Sequence, residues 1–140
     1  MLVSFGLGGA DAQPQPGGQG EAWRAAGVVL KPVDDVNAAA WTAQVLADLQ
    51  ENGFRISRPV SALDGGFVVD GWTACNVVEG CHDFARRWPE VIGTGKALNE
   101  ALGGTPRPPF LDRRIDVWAI GDRVAWDEQP FEVHDPGLRA

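Results

Sequence analysis

A chain of 140 residues, 44% of them hydrophobic and 22% charged, has the composition of one ordinary globular domain. Its formal net charge of −7 excludes the broad basic surface with which proteins bind nucleic acid or anionic membranes. No apolar run approaches the roughly 20 residues that span a bilayer, and the first residues lack the pattern of an export signal. We therefore predict a cytoplasmic protein that binds neither nucleic acid nor membrane.

A glycine-rich hairpin is predicted over residues 13–33. Glycines at 17, 18 and 20 lack the Cβ atom that would keep backbone N–H groups away from a phosphate. Lys31, at the end of the following apolar strand, can reach the same phosphate groups. This combination predicts half of a nucleotide-phosphate site. The alternative is an ordinary hairpin turn followed by a solvent-facing lysine.

A helix and a second hairpin are predicted next. Asp34 or Asp35 is a suitable N-cap, and the helix runs to about Gln50. The second hairpin has one strand over residues 54–58, a turn at Asp64-Gly65, and an apolar strand over residues 67–74.

The remaining residues are predicted to be helical. Pro89 suits the first turn of a helix that ends at residues 103–104, and a last helix fits residues 115–126. Its expected inward residues are Val117, Trp118, Ile120 and Val124. The whole order predicts an α+β fold, in which a small antiparallel sheet with one packed helix is followed by helices.

A metal site would have to use Cys75, Cys81 and His82. A structural zinc site takes four ligands from two paired motifs, and a second pair is missing from the sequence. We therefore predict two reduced thiols and no metal site.

Five segments in this order carry a resemblance to a known family: PGGQGEAWR at 16–24, VLKPVD at 29–34, RPV at 58–60, VDGW at 69–72 and DRVAW at 122–126. With them the chain resembles the N-terminal lobe of the protein-kinase-like fold. More narrowly, it is similar to the aminoglycoside-phosphotransferase-like branch and to a group of uncharacterised bacterial proteins in it. The resemblance implies a kinase-like N-terminal lobe over residues 1–80, the start of a truncated C-terminal lobe over residues 81–128, and a flexible tail over residues 129–140.

The resemblance also implies a site for ATP with Mg²⁺. The glycine loop would lie over the triphosphate, and Lys31 would contact the α- and β-phosphates. Val29 would line the adenine pocket, and the base would lie against the segment after the fifth strand, assigned to about residues 70–74. The implied nucleotide-binding residues are Gly17, Gly18, Gln19, Gly20, Val29, Lys31, Asp70, Gly71 and Trp72.

The sequence departs from the family in its catalytic parts. The first helix has no glutamate to hold Lys31, and Gln44 is the nearest polar candidate. No catalytic loop or magnesium-binding aspartate follows, and His134-Asp135 lacks the context of such a loop. We therefore expect only the ATP-binding half of a phosphotransferase, without catalytic residues or metal ligands. An exposed apolar face would then need a partner or the missing lobe.

Two alternatives stay open from the sequence. In the first alternative to the phosphotransferase half, the chain is a non-catalytic module that binds a nucleotide or another protein. In the second, it is an unrelated small α+β domain whose glycine segment is only a turn.

Overall fold

The computed structural model describes residues 1–16, 20–80, 87–125 and 127–130. The chain divides into two compact units, Met1–Pro106 and Arg107–Ala140. The boundary predicted after residue 80 lies beside residues outside the described set and stays a prediction, as does the tail predicted over residues 129–140. No helix in the described ranges is both long enough and apolar enough to cross a membrane.

The first unit is built on one five-stranded antiparallel sheet. Its strands are β1 (Gln13–Pro14), β2 (Trp23–Ala25), β3 (Val28–Pro32), β4 (Val68–Val69) and β5 (Trp72–Asn76). Their order across the sheet is β1-β2-β3-β5-β4, so β3 is the central strand and β1 is an edge strand. Together with the helices, this sheet confirms the predicted α+β class.

Two hairpin turns of the same kind join the antiparallel neighbours. Ala26-Gly27 connects β2 to β3, and Asp70-Gly71 connects β4 to β5. All four residues have positive φ, between 46° and 80°. Positive φ at both central residues defines the type I′ turn, whose twist matches that of the flanking strands.

The second hairpin differs from its prediction. Residues 54–58 form no strand, although Pro59 makes an isolated bridge to Cys75. The segment predicted as one strand over residues 67–74 is divided by the Asp70-Gly71 turn into β4 and the start of β5. An Asp-Gly pair is among the strongest signals for a type I′ turn, and here it outweighs the apolar residues on both sides.

The core of the first unit lies on one face of the sheet. Leu30 is fully buried and pairs with Ala74, which is also fully buried. The short 3₁₀ turn Val3–Phe5 places Phe5 against this face. The complete set of buried core residues is Phe5, Ala25, Val28, Leu30, Ala62 and Ala74.

Helix α1 (Val36–Asp48) follows β3 and contacts β4. The Asp35 carboxylate accepts a hydrogen bond of 3.0 Å from the Ala38 N–H, so Asp35 is the N-cap, as predicted. At the other end, Nη1 of Arg58 donates to the carbonyl oxygens of Leu46 and Ala47, each at 3.0 Å. A cation at this end also complements the helix dipole.

Helix α2 (Trp88–Leu102) begins with proline in its first turn, as predicted. Helix α3 (Val117–Ala125) lies in the second unit. Its predicted inward face is wrong in part, because Val117 and Trp118 are 76% and 79% exposed. Polar contacts orient this short helix instead: Asp116 caps it, and Arg123 donates to the Arg114 carbonyl.

Candidate functional site

Lys31 lies on the central strand, on the face opposite the core. Side chains alternate between the two faces along a strand, so Leu30 and Lys31 point in opposite directions. Leu30 is fully buried, whereas Lys31 is exposed. Val29 lies on the same face as Lys31 and is half-buried, as expected for a residue that could line a pocket beside the lysine.

The charged residues of the five strands are Arg24 and Lys31, and both lie on this face. Arg24 pairs with Val29, and Lys31 is two residues further along β3. Diagonal neighbours of this kind on adjacent antiparallel strands lie roughly 7–8 Å apart. Two long cationic side chains therefore share one sheet face in a chain whose formal net charge is −7. We call the strand residues on this side the Lys31 face: Gln13, Arg24, Val29, Lys31, Val68, Thr73 and Cys75.

Arg24 is held by Glu79, which follows β5. The Arg24 Nη2 atom lies 3.0 Å from the Glu79 Oε1 atom. The backbone carbonyl of the same glutamate accepts a hydrogen bond of 3.3 Å from Arg55. Two arginines therefore bind Glu79: Arg24 of β2 binds its carboxylate, and Arg55 of the segment after α1 binds its backbone carbonyl.

Lys31 has a different environment. No ion pair involving Lys31 is found in the part of the chain that the structure describes. Gln44, the polar candidate of the first helix, donates instead to Asp48 at 2.8 Å. Asp35 is engaged as the N-cap of α1. Gln44 and Asp35 therefore each bond within or beside their own helix.

The glycine loop can be located only by its flanks. Gly17, Gly18 and Gln19 lie outside the described residues. The strands on either side of them, β1 and β2, pair with each other, and the Gln15 N–H donates to the Ala22 carbonyl at 2.8 Å. Gly20 is exposed, with a φ of 81°. The role of the loop in phosphate binding stays a prediction.

The residues predicted to lie against the adenine form a turn and the start of β5. Asp70 and Gly71 form the turn before β5, and the Gly71 carbonyl accepts a hydrogen bond of 2.8 Å from the Val33 N–H. Trp72 opens β5 and packs against the core. The segment that follows the fifth strand is residues 77–80, because β5 continues to Asn76.

Residues 77–80 pass close to the β2–β3 turn. The Val77 N–H donates to the Gly27 carbonyl at 2.9 Å, and Glu79 reaches Arg24. The Val78 side chain is exposed. This segment therefore borders the Lys31 face at the end where β2 turns into β3.

Metal-ligating side chains do not cluster in the described ranges, where no group of three His, Cys, Asp or Glu residues could hold a metal ion. Cys75 is a half-buried free thiol on the Lys31 face. Cys81 and His82 lie outside the described residues, and so do His134 and Asp135.

The second unit contains a pocket of about 220 Å³ lined in part by three arginines. Arg107 pairs with Asp112 and Glu128, and Arg114 pairs with Asp116 at 2.8 Å. These guanidinium groups mainly connect parts of their own unit.

Asp116 has a lowered pKa in this unit. The principal cause is the hydrogen bond that its carboxylate accepts from the Ala119 N–H, and the second is the hydrogen bond from Arg114. Both contacts favour the ionised form of the carboxyl group.

Comparison of the chain with protein-family models, curated proteins and solved structures gives no match. The site is therefore defined by its geometry alone. The sequence predicted roles for Lys31 and Val29 that stay predictions, treated Glu79 as a solvated turn residue, and gave Arg24 no role in the site. The register of β2 against β3 was the available signal for Arg24, because it places this residue on the lysine's side.

Proposed function

We propose that this chain is a phosphotransferase-like protein that binds a nucleoside triphosphate on its Lys31 face and does not itself transfer the phosphoryl group. The observation that carries the proposal is the distribution of charge on the sheet. Both charged strand residues are cations, and they lie together on the face of the sheet opposite the core. A triphosphate is the kind of ligand that such a pair of cations stabilises.

The order of elements supports the same proposal. Three strands are followed by α1 and then by two further strands, and Lys31 is on the third strand. This agrees with the hairpin, helix and hairpin order on which the resemblance to the phosphotransferase-like family rests. In that family a lysine at this position contacts the α- and β-phosphates, and we assign this contact to Lys31.

The adenine base is placed against residues 77–80 in this proposal. The resemblance implies that the base lies beside the segment after the fifth strand, and β5 ends at Asn76. Val29 is on the Lys31 face and half-buried, so it can contact the flat surface of the base. We propose that Mg²⁺ accompanies the nucleotide on its phosphate oxygens.

Titration with Mg-ATP tests the assignment of Lys31. We expect ATP to raise the unfolding temperature of the wild-type chain and to do so much less for Lys31→Ala. Lys96→Ala is the matched control, because Lys96 is an exposed lysine on α2 in the same unit. An equal response of wild type and Lys31→Ala would show that Lys31 does not bind the nucleotide.

Thiol labelling supplies a second, spatial readout. Cys75 lies on the Lys31 face and is the diagonal neighbour of Lys31 on the adjacent strand β5. In a Cys81→Ser background, Mg-ATP should slow the reaction of Cys75 with a maleimide, and Lys31→Ala should remove this protection. Protection that persists in Lys31→Ala would show that Lys31 does not hold the nucleotide, and no protection in the wild type would place the nucleotide away from the Lys31 face.

The purified chain is expected to show no phosphoryl transfer from ATP to sugars, aminoglycosides or peptides. This chemistry requires a base that accepts the hydroxyl proton and ligands that position Mg²⁺. Transfer that is lost in Lys31→Ala would contradict this part of the proposal.

A second candidate function is that of a protein-interaction module. It is favoured by the apolar side chains at the start of α3, where Ile115, Val117 and Trp118 are all strongly exposed. Neighbouring exposed apolar residues are typical of surfaces that other proteins cover. Light scattering of the wild type and of Trp118→Ser tests it: a monomeric wild type that retains nothing from a fractionated lysate would count against this function.

A further inference from the structure

We infer that Arg24 is a second phosphate-binding cation beside Lys31, and that Glu79 is an internal competitor that occupies Arg24 in the absence of ligand. This inference rests on the proposed nucleotide binding at the Lys31 face. It adds a ligand-binding residue and an explanation of how the chain restrains its own affinity for anions.

The first step concerns position. Arg24 pairs with Val29 across the β2–β3 hairpin, so Arg24 and Lys31 are diagonal neighbours on one face. The side chains of arginine and lysine are long enough to bring both charged groups to a single phosphate group from this separation. A planar guanidinium can bind two oxygens of the same phosphate, which complements the point charge of Lys31.

The second step concerns what the two cations do without a ligand. Their like charges repel each other on the same face, and an anion between them relieves this repulsion. Glu79 supplies an anion to Arg24 alone, at 3.0 Å, and does not pair with Lys31. Its backbone is held by Arg55, so the carboxylate stays near Arg24 although it lies in a segment without regular structure.

The third step concerns strength. The side chains of Arg24 and Glu79 are 45% and 80% exposed, so water screens the ion pair and it is weak. A triphosphate carries more negative charge than one carboxylate and also contacts Lys31, so it can displace Glu79 from Arg24. Removing the competing carboxylate should therefore strengthen binding by about two- to fivefold.

Calorimetric titration of the full chain with Mg-ATP and, separately, with inorganic tripolyphosphate tests the inference. Glu79→Gln should bind both ligands about two- to fivefold more tightly than wild type, because its amide cannot hold the guanidinium as firmly. Arg24→Gln should bind both ligands more weakly. In an Arg24→Gln background the Glu79→Gln change should have little further effect, because the competition has lost its target.

An ion pair at the start of α2 offers matched controls for the change in net charge. Arg87 and Glu90 lie 3.6 Å apart and are similarly exposed, so Glu90→Gln and Arg87→Gln alter the total charge in the same way. We expect both variants to bind like the wild type. Circular dichroism and the urea midpoint of each variant establish that it is folded before it is titrated.

The outcomes separate this inference from the proposed function. Binding that requires Lys31 but is unchanged in Glu79→Gln and Arg24→Gln would overturn the inference and leave the proposed function standing. An equal gain in Glu79→Gln and Glu90→Gln would overturn it too, since net charge alone would explain the result. Binding that is unchanged in Lys31→Ala, or the absence of binding by the wild type, would overturn both the inference and the proposed function.

Discussion

The two faces of the sheet differ although the same five strands form both. On one face Leu30 and Ala74 are completely buried and packed against the N-terminal residues. On the other, the neighbouring position of the same strand is the exposed Lys31, and Arg24 is beside it. The difference shows how a strand with a period of two places one set of residues in the core and the next set on the opposite face.

The comparison also explains why the cations are tolerated on a small sheet. Burying an unpaired ammonium or guanidinium group is very costly, so such groups must stay near water or near a counter-ion. Arg24 and Lys31 satisfy this requirement because the N-terminal residues cover the opposite face. The covered face stabilises the unit, and the opposite face keeps both cations exposed.

The largest expected effect comes from comparing alanine substitutions at two adjacent residues of β3, one on each face of the sheet. Leu30→Ala should lower the free energy of unfolding by about 2–5 kcal/mol, since it removes a fully buried side chain and leaves a cavity. Lys31→Ala should change it by no more than about 0.5 kcal/mol. Urea unfolding monitored by tryptophan fluorescence measures both.

Leu63→Ala is the control for Leu30→Ala, because it makes the same substitution at a leucine that is 77% exposed. We expect a change within about 0.5 kcal/mol. Similar losses from Leu30→Ala and Lys31→Ala would remove the contrast between the two faces.

The next effect separates an arginine that supports the fold from the arginine that we propose binds the ligand. Arg58→Gln should cost about 1.5–3 kcal/mol, because Arg58 donates to two carbonyls at the end of α1 and pairs with Glu51. Arg24→Gln removes an exposed ion pair and should cost at most about 1 kcal/mol. Chemical denaturation compares them, and a larger loss from Arg24→Gln would reverse their assigned roles.

A smaller effect is expected at the turn that sets the register of the two cations. Ala26 adopts a φ of 46°, a conformation that costs an L-residue about 1–2 kcal/mol. Glycine removes this cost, but its unfolded chain has more conformational entropy to lose on folding, which reduces the gain by about 0.4–1 kcal/mol. Ala26→Gly should therefore stabilise the chain by roughly 0.5–1 kcal/mol. Asp70→Gly at the equivalent turn should gain less, because aspartate tolerates this conformation better. Thermal unfolding compares the two variants, and a loss of stability in Ala26→Gly would contradict the turn geometry.

The smallest expected effect is the titration of Asp116, which belongs to the second unit and to neither face of the sheet. The pKa of Asp116 is lowered by its cap to Ala119 and by Arg114, so its stabilising contacts are complete above the unfolded pKa of about 3.9. They are lost as the pH falls through the lower folded pKa. The amide shift of Ala119 should report this loss in an NMR titration.

Asp116→Asn is the control for that titration, since its side-chain oxygen can still cap the helix but does not ionise. The Ala119 amide of this variant should be insensitive to acid over the same range. A wild-type shift that is unchanged below pH 4, or a titration that is equal in both proteins, would exclude the cap as the cause.

Much of the fold could be predicted from local sequence signals. The Asp35 cap and the proline at the start of α2 agree with their predicted helices. The β2–β3 hairpin lies within the hairpin predicted over residues 13–33. The second hairpin was predicted in the wrong place, because the apolar residues on both sides of Asp70-Gly71 conceal the turn between them.

The candidate site could be predicted only in part. Lys31 and Val29 were predicted to bind the nucleotide, which stays a prediction, and their common face agrees with the period of the strand. The assignment of the base to residues 70–74 stays a prediction; in the structure these residues form a turn and the start of β5, which ends at Asn76. Gln44 was considered as a partner of Lys31, but Asp48 is one turn away on its own helix and accepts its hydrogen bond.

The sequence by itself determined the local elements: the helix caps, the glycine-containing turns, and the alternation that separates Leu30 from Lys31. These depend on residues within a few positions of one another, whose backbone preferences act locally. Only the tertiary structure decided which face would be covered, where β5 would end, and that Glu79 would reach Arg24 across a separation of 55 residues. Such contacts arise from strand pairing and packing between distant segments, and no local preference specifies them.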